Sequence, residues 1–364
     1  MIRFSYLHLP AYPIDESLRL IQTADDLGFY AAYAVDETWW KDSWLLFAAA
    51  ARQTKQIRLG PNVTHVIMRD PAHVVQMLAT LDDLSGGRAD CVISFGNQSL
   101  LPQHGIDIKG MKPLSRVVEA QRVMRLFLDT GTVTYEGDFF KYAGLWTLAR
   151  PVQHRVPIKL GAMGGPRSFE VGGEFFDGVH QAIGCSRETY EYMMEHVKAG
   201  AERAGRDWRE LDLGAWVVWA CGEDSAAAKE TARIMVAFYL ASMPERQLAR
   251  HGITPADLKP IFDAFAAGDV QKALDLTSPG ARREAVDRGY ARGVRREAPA
   301  RHPADGDQPR HRSHRRPVPR EGVHRPRDRE LPGHAGPAPA DPRPGHARAR
   351  GRLGLALKSR RRRR

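Results

Sequence analysis

The order in which strand-like and helix-like segments follow one another is the strongest constraint on how this chain can fold. Phe4 to Leu9 reads as a strand, and Ile14, Leu18 and Ile21 then repeat at helical spacing, with Asp15 and Glu16 in the first turn and Gly28 as a stop. Phe29 to Val35 is a second strand, Ser43 to Arg52 a second helix and Ile57 to Thr64 a third strand. Asp70-Pro71 supplies an N-cap and a proline at the first helical position, and opens a helix with Val74, Leu78 and Leu81 on one face that Gly86-Gly87 ends. Ala89 to Phe95 is nearly all apolar, as befits a strand covered on both faces. After a loop around 97–114, Ser115 to Leu128 is a helix and Gly131 to Leu148 a small hairpin insertion. Ile158 to Leu160, Gly178 to His180 and Leu213 to Ala220 are strands five to seven, separated by a helix from Pro166 and another over Tyr190 to Ala204. Residues 224–290 read as mostly helical. Repeated βα units in this order specify a parallel α/β sheet, closed into a TIM barrel or open and doubly wound.

Charge separates the last stretch from the rest. The chain of 364 residues has a formal net charge of +11, which suggests a nucleic-acid partner. Residues 291–364, however, hold 22 Lys and Arg against 7 Asp and Glu, leaving 32 against 36 for residues 1–290. The part before residue 291 is mildly acidic, and all the basicity lies after it. That stretch contains no Phe, Tyr, Trp, Ile or Met, and ends in five arginines. It has too little apolar surface to order itself. A non-catalytic nucleic-acid-binding arm is one reading, weakened by the absence of interleaved aromatics, and an ordinary disordered tail is a second. An out-of-frame translation of a GC-rich gene is preferred.

No apolar run is long enough to span a bilayer, and the N-terminus lacks the shape of a signal peptide. Cys91, Cys185 and Cys221 are widely spaced, forming neither a metal knuckle nor a disulfide framework, and read as buried small hydrophobes of a reducing cytosol.

In a TIM barrel the chemistry sits at the C-terminal ends of the strands. Those ends carry His8, Asp36-Glu37, Asn62-Val63-Thr64, Phe95-Gly96-Asn97-Gln98 and Gly161-Ala162-Met163-Gly164-Gly165-Pro166. The last is the strongest local signal. A Gly-Gly-Pro turn between strand and helix lets the backbone approach a ligand and offers free N–H groups to a phosphate, with Arg167 as an added cation; a plain glycine turn is the alternative. Asp36 and Glu37 are candidate acid–base carboxylates, and alternation along a strand would send one to the mouth and leave the other structural. His8 and His65 are possible proton donors, though a lone histidine is more often structural. Trp39, Trp40 and Trp44 either line a pocket for a ring system or pack the second helix onto the barrel. No metal-ligand spacing, nucleophile elbow, Walker loop or dinucleotide fingerprint is present.

Taken together, these segments resemble the luciferase-like superfamily of flavin and deazaflavin enzymes, in particular its methylenetetrahydromethanopterin reductase-like branch. The motifs are Gly28-Phe29 with Asp36, Ile57 to Thr64, Arg69-Asp70-Pro71-Ala72, Ala79 to Arg88 and Gly161 to Pro166; Glu223 to Ala228 with Arg250-His251-Gly252 is similar to the branch in particular. The resemblance covers about residues 3–288. It implies a (β/α)8 barrel, here without its last strand–helix unit, because the Gly-Thr-Pro turn, helix and eighth strand that follow the Ala285-Val286-Asp287 region in the family are absent. It implies a tricyclic cofactor, coenzyme F420 or alternatively FMN, lying across the mouth against a bulge at Asn62, Val63 and Thr64 with a non-proline cis peptide at Asn62–Val63. Gly96 and Asn97 would touch the ring, Gly164-Gly165 would meet the phosphate tail, Ala162 would also bind the cofactor, and Asp36 would line the active site. Where many members have histidine after that aspartate this chain has Glu37, so the proton donor differs. The implied activity is hydride transfer between F420 and a small-molecule substrate, with a monooxygenase using reduced FMN and oxygen as the alternative. A cytoplasmic homodimer is expected.

Overall fold

The structure is a computed structural model that describes residues 2–97, 100–182, 186–240, 243 and 245–277. The expected basic tail, residues 278–290 of the helical region, Gln98 and Cys185 lie outside the described residues, as does the whole of a second unit, 299–364.

The expected alternation is realised. In chain order the elements are β1 (Ser5–His8), α1 (Ile14–Asp26), β2 (Ala31–Ala34), α2 (Ser43–Ala51), β3 (Arg58–His65), α3 (Pro71–Ser85), β4 (Cys91–Ser94) and α4 (Pro113–Thr130). The hairpin β5 (Thr132–Glu136) and β6 (Lys141–Trp146) follows, then β7 (Ile158–Ala162), α5 (Pro166–Phe175), β8 (Gly178–Gln181), α6 (Arg187–Arg203) and β9 (Asp212–Ala215). Four helices close the described chain: α7 (Ser225–Leu240), α8 (Glu245–Arg250), α9 (Pro255–Ala266) and α10 (Val270–Leu276). The Asp42 carboxylate accepts from the Leu45 N–H to cap α2, Asp70 caps α3 at the Ala72 N–H, and Ser186 caps α6 at the Thr189 N–H. The last predicted strand is shorter than expected, stopping at Ala215 rather than Ala220.

Seven strands form one parallel sheet in the order β1-β2-β3-β4-β7-β8-β9, with β5 and β6 paired separately as an antiparallel hairpin. The outer face of the sheet and the first four helices enclose the main core, which includes Ile21, Phe47, Leu59, Leu78, Ile93 and Leu160. Phe169, Val179, Met193 and Val197 form a second cluster beneath α5 and α6, and α7 to α10 pack around their own cluster.

The sheet curls until its two edges are joined by side chains. Asp212, which starts β9, binds Arg3 just before β1 at 2.8 Å and accepts from the Tyr30 hydroxyl at 3.3 Å. Inside the curl Lys159 Nζ bridges Asp90 at 2.7 Å, Asp212 at 2.6 Å and the Tyr33 hydroxyl at 3.1 Å. Burial alone would push this lysine down, but Asp90, Tyr33 and Asp212 outweigh it and hold the ammonium well above its ordinary pKa. A side chain on β7 thereby ties together β2, β4 and β9 across the barrel interior.

Candidate cofactor site at the strand ends

A parallel sheet sends every strand out of the same face, so residues distant in sequence meet there. The wall of this site is the end of β3. Its register against β4 shifts between Asn62 and Thr64, forming a bulge, and the Asn62–Val63 peptide is cis, as the resemblance implied. Opposite the bulge stands Gly161 on β7. A Cβ there would come within 2.3 Å of Val63 Cγ1, so only glycine leaves the Val63 side chain its place.

Asp36 anchors the bulge. Its amide donates to the Val63 carbonyl at 3.3 Å. Its carboxylate accepts from Trp44 Nε1 at 3.1 Å, Thr64 Oγ1 at 2.6 Å and Arg69 at 2.7 and 2.8 Å. The residue is 4% exposed, and Arg69 also reaches Asp42 at 2.9 Å. A carboxylate with four donors, two of them on one guanidinium, is fixed in place as an acceptor. Glu37 is placed differently. It is half-buried, accepting from Asn97 Nδ2 at 3.1 Å and Trp40 Nε1 at 3.2 Å. The expectation that strand alternation separates these two carboxylates needs correction, because β2 stops at Ala34 and both lie in the following turn. Their hydrogen bonds separate them instead.

The tryptophans likewise divide. Trp44 serves Asp36, Trp40 serves Glu37, and Trp39 donates to Gln103 at 3.0 Å, so they do not form one pocket lining. His8 is buried, with Nδ1 on the Tyr6 hydroxyl at 2.9 Å, and burial pushes it down to about 4. His65 is also buried and lowered by burial. Both are held neutral near pH 7. Gly96 at the end of β4 has φ +107, and a Cβ on it would lie 2.8 Å from His65 Cβ, which accounts for glycine at that position.

At the far side, Gly164 has φ +125 and Gly165 is the N-cap of α5, with no side chain capping the helix. The first-turn N–H groups there therefore depend on backbone or ligand acceptors. Arg167, expected to add a cation, instead turns along the helix to Glu170 at 3.0 Å.

Of the thirteen buried polar side-chain atoms without a partner among the described residues, six lie at this end of the sheet, and the other seven, on Ser17, Ser43, Asp90, Arg116, Arg125 and Glu174, lie elsewhere. The six are His8 Nε2, Asn62 Oδ1, His65 Nδ1, both amide atoms of Gln181, and Trp216 Nε1. Such groups are costly in a closed protein and natural around a ligand. The pyrimidinedione edge of a flavin or deazaflavin alternates carbonyl acceptors with an N–H donor, which matches this mixture of donors and acceptors. The residues present therefore fit such a ring. The sequence reading missed Arg69 as a ligand of Asp36, Gln181 and Trp216 as lining groups, and Tyr239. The last, on α7, meets Trp216 edge to face at 6.5 Å and is raised to about 12 by burial and then by the charge of Glu37. No local motif marks any of them. Cys91 is buried as expected, whereas Cys221 is exposed. Among the described residues no group of three or more His, Cys, Asp or Glu could hold a metal ion, and no helix is long and apolar enough to cross a membrane.

The luciferase-like monooxygenase family model matches residues 2–295. A 5,10-methylenetetrahydromethanopterin reductase of Methanolobus tindarius is 33% identical over 267 residues, covering 73% of this chain and 80% of that protein. The enzyme of the same name from Archaeoglobus fulgidus is 30% identical over 273 residues, 74% of this chain and 80% of its own length. Among solved structures, the coenzyme F420-dependent tetrahydromethanopterin reductase of Methanopyrus kandleri superposes with a TM-score of 0.73 at 27% identity, covering 79% of this chain and 85% of that one. An F420-dependent secondary alcohol dehydrogenase shares the fold at 24% identity, with a TM-score of 0.62 and 66% and 76% of the two chains covered. With the strand order, the β3 bulge and the glycine-lined strand ends already in place, the family match fixes the assignment: this chain belongs to the luciferase-like monooxygenase family.

Proposed function

We propose that this chain is an oxidoreductase that binds coenzyme F420 across the strand ends and exchanges hydride with a small organic substrate, in a methylenetetrahydromethanopterin reductase-like reaction. The observation that carries this reading is the set of six unpartnered buried polar atoms at the strand ends around the β3 bulge, where Gly161 and Gly96 let Val63 and His65 pack in close. The likeness to F420-dependent reductases over most of their length supports the deazaflavin over FMN. Asn62, Val63 and Thr64 would back the ring, Gly96 and Asn97 would face its other side, and Ala162, Gly164 and Gly165 would receive the phosphate tail.

When bound, the deazaflavin supplies or accepts the hydride at its C5 carbon. The protein contributes orientation, a dry wall and proton handling. Glu37 is the acid–base group. Among the described residues its carboxylate accepts from two neutral N–H donors, and it is half-buried, so it can take or give a proton while staying in register. Asp36, engaged by Arg69, Thr64 and Trp44, holds the bulge in position.

Titrating the full chain with F420 and with FMN, followed by absorbance, tests the reading. Saturable F420 binding together with substrate-dependent loss or gain of the oxidised deazaflavin band is the expected result. Binding of FMN alone, with oxygen consumed when reduced flavin is supplied, would overturn it in favour of a monooxygenase.

A further inference from the structure

His180 sits on β8, inside the curl of the sheet, and is 7% exposed. Its Nδ1 lies 3.0 Å from Nδ2 of Asn62, across 118 positions of sequence. The ring has little freedom to leave that contact. Tyr33 packs against it edge to face at 5.4 Å between centroids. On another side stands Gly214 of β9, where even a Cβ would lie only 3.0 Å from His180 Cδ2. The Asn62 nitrogen can only donate, so Nδ1 must be the acceptor and the ring is neutral, with its proton on Nε2. Burial acts in the same direction, lowering this histidine to about 4.

Fixing one end of a planar amide fixes the other. With Nδ2 committed to His180, Asn62 Oδ1 remains, on a residue that is 2% exposed, with no partner among the described residues. Asn62 is also the residue at which the β3 bulge begins. We infer that His180 is a positioning residue that sets the rotation of the Asn62 amide, so that Oδ1 is presented as an acceptor to the imide N–H of the bound tricycle. The inference rests on the cofactor site proposed above, but not on which tricycle fills it, because deazaflavin and flavin carry the same imide.

The test is a double-mutant cycle on cofactor affinity, using the full chain and titrations with F420 and with FMN. His180→Leu removes the acceptor and is expected to weaken binding roughly 5- to 10-fold, the scale of one neutral hydrogen bond. In an Asn62→Ala background the same change should have no further effect, because there is no amide left to orient. His180→Asn places an amide oxygen near the Nδ1 position and should restore affinity, while His180→Gln, whose oxygen falls nearer Nε2, should not. The Asn and Gln variants keep the comparison available if His180→Leu does not fold. Melting temperatures of all variants without cofactor separate loss of the fold from loss of orientation. Equal weakening by His180→Leu in both backgrounds, or equal affinities of the Asn and Gln variants, overturns the inference. Binding of FMN but not F420 refutes the F420 reading and leaves the cycle measurable with FMN; a wild-type chain that binds neither refutes both.

Discussion

Asp36→Ala removes the acceptor on which the wall of the site depends. The substitution leaves Thr64 Oγ1, Trp44 Nε1 and one edge of Arg69 without a partner, all within a region where Asp36 is 4% exposed and Thr64 is fully buried. Breaking a buried ion pair from one side costs about 3–5 kcal/mol. The Arg69 side chain, however, is 27% exposed and retains Asp42 at 2.9 Å. Both features reduce the penalty below that range, to about 2–3 kcal/mol, which corresponds to a fall in melting temperature of roughly 4–12 °C. Because the Thr64 hydroxyl loses its carboxylate partner, while the Asp36 amide still holds the Val63 carbonyl, the bulge should loosen at Thr64 and cofactor affinity should fall with stability. Thermal melts monitored by circular dichroism, with F420 titrations on the same samples, supply the two readouts. Asp36→Asn should show a smaller loss of both. A variant with unchanged melting temperature and affinity but abolished turnover would refute the argument, since that pattern belongs to a group that moves a proton.

Glu37→Gln should behave in the opposite way, its oxygen accepting from Trp40 Nε1 and its NH2 donating to Asn97 once that amide turns over, so that melting temperature is kept while turnover falls about 10²-fold or more; a rate within a few-fold of wild type would exclude Glu37 as the acid–base group. Gly161→Ala should weaken cofactor binding by displacing Val63, whose Cγ1 would lie 2.3 Å from the new methyl group, and wild-type affinity in this variant would show that the bulge is not the wall of the site. Lys159→Met removes the cation between Asp90 and Asp212 and should cost about 3–5 kcal/mol, read as a lowered urea midpoint; an unchanged or raised midpoint would mean that the cluster is not stabilising. His8 and His180 are both lowered to about 4 from 6.5. The folded state thus disfavours their protons, and stability is complete above pH 6.5 and lost as pH falls from 6.5 towards 4. Melts taken across that window should decline for wild type and less steeply for the His8→Asn, His180→Asn double variant; identical slopes would show that these histidines do not drive the decline.

Most of the fold was legible because it is specified locally. Asp70-Pro71 and Gly86 bound α3, and the apolar run before Phe95 became β4, since caps, glycine stops and strand alternation depend only on neighbours in the chain. The strand ends were recognisable as the candidate site for the same reason: once a sheet is parallel, its C-terminal ends face one way. The readings that changed concern which partner a side chain takes, a choice that packing makes even between residues three positions apart. Arg167 looked available for a phosphate until Glu170 was found to hold it, and the three tryptophans near residue 40 resembled one pocket until their N–H groups proved to serve three different acceptors.

The sequence by itself determined the parallel sheet, the strand ends as the candidate site and the change in character at residue 291. Only the tertiary structure decided which donors each of the two carboxylates meets, and which atoms lack partners among the described residues. Asp36 meets Arg69 across 33 positions, Asn62 meets His180 across 118 and Tyr33 meets Lys159 across 126. A hydrogen bond forms only when donor and acceptor come within about 3 Å. The curl of the sheet sets those distances, and no period or spacing along the chain encodes them.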